Sequence, residues 1–114
     1  MKEAKTKTKN ELLPGTLEML ILKTLSIEPM HGYGIAQHIQ MLSRDVLTIE
    51  EGSLYPALQR MLVKGWVLAD WKISANNRRA RFYTLTTAGK KQLGVEESRF
   101  STMFGAIMRV MKTT

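Results

Sequence analysis

The spacing of the apolar residues changes at Gly65: before it they recur every three or four positions, after it they alternate, and from Leu93 they return to helical spacing. An apolar stripe of period 3.6 lays a helix on a core, whereas period 2 lays one face of a strand on it. A chain with that order of periods has to set a β-hairpin between helices. The expected architecture is mainly α with a small β-hairpin.

Pro14, Gly15 and Thr16 form a stop-and-cap signal ahead of Leu17, Met19, Leu20, Ile21, Leu22 and Leu25. That helix is apolar around most of its circumference and must be covered on more than one side. Pro29 and the Gly32 to Gly34 stretch break the chain, and Ile35, Ala36, Ile39 and Leu42 then mark a second, short amphipathic helix. In the linker at residues 43–51, Val46, Leu47, Thr48 and Ile49 suit a brief strand. A third helix is expected from Ser53, with Pro56 in the first turn, where its missing N–H costs nothing, and Gly65 as the stop. Leu54, Leu58, Met61 and Leu62 are its buried stripe. Pro56, Gln59, Arg60 and Val63 face outward, with Ser53 and Tyr55 at the leading edge.

Past Gly65, Val67, Ala69, Trp71 and Ile73 alternate with polar neighbours, and a second strand spans about residues 79–86. Ser74-Ala75-Asn76-Asn77-Arg78 between them is turn-forming. Lys72, Arg78, Arg79 and Arg81 place four cations within ten residues, with no nearby acid after Asp70. Trp66 and Trp71 are expected to pack in the core, and Tyr83 and Leu85 to face it. Thr86 or Thr87 can cap a long final helix with Leu93, Phe100, Phe104, Ile107 and Met111 along one face. A methionine and phenylalanine stripe of that kind, joined by Met103 and Met108, first serves to pack against a second copy. With Leu17 and Ile21 of the first helix, Leu93, Phe100, Phe104, Ile107 and Met111 are the expected dimer contacts.

The chain of 114 residues is the size of one domain. It reads as a mobile basic arm at 1–12, a DNA-binding domain at 13–86 and a dimerisation helix at 87–114. Seventeen Lys and Arg against ten Asp and Glu give a net charge of +7, which favours a polyanionic partner. Cysteine is absent, which excludes disulfides, thiolate zinc sites and a cysteine nucleophile. The start, MKEAKTKTKNE, has no apolar stretch of a secretory signal, and no apolar run approaches bilayer-spanning length, so a cytoplasmic protein away from membranes is expected. His31 and His38 lack a third ligand, so no metal is expected. Without a phosphate loop, a carboxylate pair in an apolar setting or a nucleophile with its base, neither an enzyme nor a cofactor is expected.

Three helices followed by a hairpin is the order of a winged helix-turn-helix, in which the third helix enters the major groove and the hairpin lies along the backbone. Gln59 then suits an adenine edge, Arg60 a guanine or a phosphate, and the hydroxyls of Ser53 and Tyr55 phosphates. Lys72, Arg78, Arg79 and Arg81 are the phosphate-binding wing. Glu50 and Glu51 suit the helix dipole but repel a phosphate approaching that end. Two other readings share these residues: an interaction module whose basic wing docks on an acidic partner, and a protein that binds hydrophobic compounds in a dimer cleft.

The segments GTLEMLIL (15–22), PMHGYGI (29–35), GSLYPAL (52–58), KGW (64–66) and RRARFYTLTTAG (78–89) together closely resemble the PadR family of transcriptional regulators. The resemblance implies a recognition helix opened by GSLYPAL, with Ser53, Tyr55 and Gln59 facing DNA, and a wing carrying Arg78, Arg79 and Arg81. It further implies a homodimer on double-stranded DNA, formed through the C-terminal helix with the first helix contributing. Many members are repressors released by small hydrophobic or phenolic compounds. The last helix ends near Met111, as in the short form of the family, and Phe100 stands where many relatives carry a tryptophan.

Overall fold

The computed structural model describes residues 12 and 15–113. The arm expected at residues 1–12 lies, apart from Leu12, outside them, as does Pro14. The elements are α1 (Thr16–Leu25), β1 (Met30–His31), α2 (Gly32–Leu42), α3 (Glu51–Val63), β2 (Val67–Ile73), β3 (Arg79–Leu85) and α4 (Thr87–Met111). This is a winged helix with a long C-terminal helix.

Helix α1 runs through the middle because three of its faces find apolar cover. Its Ile21, Leu22 and Leu25 meet Ile35 and Ile39 of α2 and Leu54, Ala57, Leu58 and Met61 of α3, and Val67, Tyr83 and Leu93 complete the same core. Gly15, at φ 87°, takes the cap position in the left-handed region that a side chain disfavours, and Thr16 becomes the first helical residue. Leu42, expected on the buried stripe of α2, is exposed, because the stripe meets the core through Ile35, Ala36 and Ile39 and ends there.

Three local expectations are corrected. Strand β1 pairs Met30 with Tyr83 and His31 with Phe82, so the hairpin becomes a three-stranded antiparallel sheet of order β1-β3-β2. Two residues are too few to show an alternation. His31 also caps α2, accepting the Gly34 N–H at Nδ1 (3.0 Å), and sets its ring edge-on to Phe82, which gives this histidine a structural role. Residues 46–49 do not form a strand beyond an isolated bridge at Leu47. The chain instead turns at Arg44 and Asp45, both left-handed at φ 54° and 65°, where the Asp45 N–H reaches the Gln40 carbonyl. Helix α3 starts at Glu51, because the Glu50 carbonyl accepts from both Ser53 and Leu54. Pro56 therefore lies inside the helix. The donor it lacks would have served the carbonyl of Gly52, an exposed residue where water can substitute.

The last element is tied to the root of the hairpin at Thr86. Its hydroxyl accepts from the Gly89 N–H (3.0 Å) and donates to the Gly65 carbonyl (2.7 Å), while its own N–H donates to Trp66 O (3.0 Å). Gly89 is buried so closely that a Cβ there would run into the Trp66 carbonyl. Gly89→Ala is expected to cost about 1–3 kcal/mol, as overpacking does. In a domain of this size that lowers the melting temperature by roughly 4 °C or more. An unchanged melting curve would refute the contact.

Candidate nucleic-acid interface

On α3 the buried stripe Leu54, Ala57, Leu58 and Met61 leaves Ser53, Pro56, Gln59 and Val63 exposed on the far side. Leu62, expected in the stripe, is half-buried at its edge. Two expected contact residues lie at the flanks. Arg60 turns onto α1, its Nε 3.0 Å from Glu18 Oε2, and so leaves the outward side that Ser53 and Gln59 share. The Tyr55 ring lies against Gly32, where any side chain would collide with it, and so seals α3 to the start of α2. Partial burial, then the charge of Glu51, then Tyr83, raise the Tyr55 hydroxyl above its ordinary value. It therefore keeps its proton at neutral pH and stays a donor suited to a phosphate.

The hairpin register decides which wing residues share a face. Val67 pairs with Leu85, Ala69 with Tyr83, Trp71 with Arg81 and Ile73 with Arg79, so these eight side chains point the same way. Near the root that face is core, through Val67 and Tyr83. Toward the tip it leaves the body of the protein, and Trp71, expected in the core, is 58% exposed. The Arg79 guanidinium lies over the Trp71 ring at 4.9 Å. The turn is closed by Ser74 N–H to Arg78 O (2.7 Å) and Asn77 N–H to Ser74 O (2.9 Å), with Asn77 left-handed at φ 61°. That geometry is the three-residue hairpin loop with a bulge.

Tyr33, Tyr55, Trp71, Arg78, Arg79 and Arg81 line one cleft between the wing and the starts of α2 and α3. Four of the eight expected DNA contacts thus come together, and Ser53 and Gln59 are exposed on the adjoining helix. Lys72 does not join them, since it pairs with Ala80 on the opposite face and sits over Phe82 at 5.8 Å. The residues sequence reasoning missed here are Tyr33 and Trp71. Tyr33, between two glycines at a helix start, carried a usable signal, because a tyrosine exposed on a glycine-flanked turn is well placed for contact.

A second surface runs along α4. Phe100, Met103, Phe104, Ile107, Met108 and Met111 are exposed along it, and the rings of Phe100 and Phe104 stack at 5.8 Å. Phe100, Met103, Phe104 and Ile107 form one wall of a groove whose other wall is Gly15, Thr16 and Met19 at the start of α1. Leu17 is half-buried beside it. Ile21 and Leu93, expected as dimer contacts, are not part of it: Ile21 is 0% and Leu93 9% exposed in the single chain, so both are spent on its own core.

Among the described residues no three His, Asp or Glu gather in a metal-binding group, and no helix is long and apolar enough to cross a membrane. Residues 21–95 match the profile of the Transcriptional regulator PadR-like family. The fold is similar to that of a transcriptional regulator from Clostridium thermocellum, with a TM-score of 0.79 and 22% identity over 86% of this chain and 95% of that one. A PadR-like transcriptional regulator from Bacillus cereus matches with a TM-score of 0.75 and 24% identity over 88% and 95% of the two chains. A PadR family regulator from Eggerthella lenta matches with a TM-score of 0.72 and 26% identity, over 88% and 85%. With the winged helix, the basic cleft and a family match over most of its length, the chain belongs to the PadR-like family: it is a DNA-binding transcriptional regulator, not an enzyme.

Proposed function

We propose that the protein is a homodimeric repressor that binds a pseudo-palindromic operator and occludes a promoter. Residues 13–86 serve as the DNA-binding unit and 87–114 as the dimerisation helix. The observation that carries this reading is the open apolar face of α4, on the same chain as a basic cleft beside an exposed recognition helix. Large apolar side chains in a row on one helix are a surface for a partner, and a second copy offers the same surface in return. Two recognition helices then meet successive major-groove faces about one helical turn apart.

Release by a small hydrophobic or phenolic compound belongs to the same proposal. The groove between α1 and α4 holds about 170 Å³ in the single chain, below the roughly 300 Å³ at which ligand pockets begin. A second copy over α4 would deepen it.

A mobility-shift titration on the gene's own upstream DNA against a scrambled duplex, at two salt concentrations, tests the reading. Tighter, salt-sensitive binding to the upstream fragment supports it. Equal or absent binding moves the function to an interaction module. Within the operator, Gln59→Ala is expected to cost about tenfold on specific DNA and little on random DNA, the value of one lost bidentate base contact. Equal losses on both would take Gln59 off the bases.

A further inference from the structure

The inner face of the wing carries more apolar surface than phosphate binding needs. Trp71 and Ile73 follow the buried Val67 and the half-buried Ala69 on the same face of β2, yet they are 58% and 64% exposed. Single exposed apolar residues on a surface are ordinary. Here two large ones stand next to each other, two residues apart, and share their face with Arg79 and Arg81. The Arg79 guanidinium carbon stands 4.9 Å from the centre of the Trp71 ring, within cation–π range.

We propose that Trp71 is a specificity-determining residue: with Ile73 it packs on the deoxyribose walls of the minor groove beside the operator half-site and presents Arg79 to the groove floor. The assignment rests on the winged-helix docking proposed above. With α3 in a major groove, the groove reached across one phosphate strand by a projecting hairpin is the minor groove. Strands rise about 3.3 Å per residue, so the wing tip at Asn77 lies well beyond the core residue Val67. Sugar walls are apolar and the groove floor is electronegative, which matches an apolar pair with a guanidinium beside it. The match is best where the groove is narrow, because A·T-rich segments both narrow it and deepen its negative potential. Trp71 thus gives the protein a preference for A·T-rich flanks without itself hydrogen-bonding to a base.

The test uses the full chain and two duplexes with the same upstream operator, one flanked by A·T pairs and one by G·C pairs. Wild-type protein is expected to favour the A·T flanks about tenfold. Trp71→Ala should bring that ratio near one while leaving the slope of log K against log salt unchanged, because no charge is lost. Trp71→Phe, which keeps a flat ring, should retain most of the preference. Both variants should melt as the wild type does, since the side chain stands outside the core. A Trp71→Ala variant that keeps the preference, or that loses affinity equally on both flanks with a shallower salt slope, overturns the assignment. Equal wild-type binding to both flanks overturns it alone; wild-type protein that binds neither duplex overturns the docking as well.

Discussion

Replacing Arg78 and Arg79 together by alanine is expected to weaken binding to every duplex and to flatten its salt dependence. Each cation lost from the phosphate field, whether it sits on a phosphate or between two strands in the minor groove, removes about 0.9 from the slope of log K against log salt, so losing two should reduce it by about 1.8. Hydrogen bonds to charged groups contribute about 1.5–3 kcal/mol net; at this exposed site each is worth less, and the loss should reach roughly 10- to 100-fold. On the proposed docking the wing would bear this load, because Glu50 and Glu51 stand at the start of α3, where a helix would otherwise offer its N–H groups to a phosphate. Both arginines are exposed, so the fold should persist. A slope identical to wild type would take the wing off the DNA.

The second large effect is expected from Phe104→Asp combined with Ile107→Asp. These side chains are 52% and 47% exposed in the single chain, so the protomer should fold without them. A second copy would have to bury both charges unpaired, and the dimer should give way to monomer by sedimentation. Operator affinity should then fall by 10²–10⁴, the avidity that linking two half-site contacts supplies. Ile21→Asp is the contrast: it places the same charge in the protomer's own core and should unfold it. A doubly substituted protein that remains dimeric would move the interface away from α4.

The elements were legible because their periods are unambiguous: the switch at Gly65 separates helices from hairpin, and of the two threonines that could cap α4 it is Thr86 that does so. The losses were of three physical kinds. Strand β1 is two residues long and exists only because Tyr83 and Phe82 accept it as a neighbour, a pairing no local pattern contains. Alternation assigned Trp71 to the correct face, but it does not say where the core ends along that face. Arg60 meets a partner 42 positions away on another helix. Likewise an apolar stripe does not tell the protomer's own core from a partner's, which is why Ile21 and Leu93 were grouped with Phe104 and Ile107.

Thr86 holds the root of β2, the end of β3 and the start of α4 with four hydrogen bonds on one residue, its carbonyl accepting from the Lys90 N–H as the fourth. In a dimer joined through α4, that makes the protein a caliper: the helices are its beam, the wings its jaws, and Thr86 the rivet that fixes each jaw to the beam. The 25 residues of α4 span about 37 Å at 1.5 Å per residue, close to one turn of DNA. A compound that slid the two beams past each other by one helical turn, about 5.4 Å, would change the gap between the jaws without deforming either one. The two wings would then no longer fit the spacing of their half-sites.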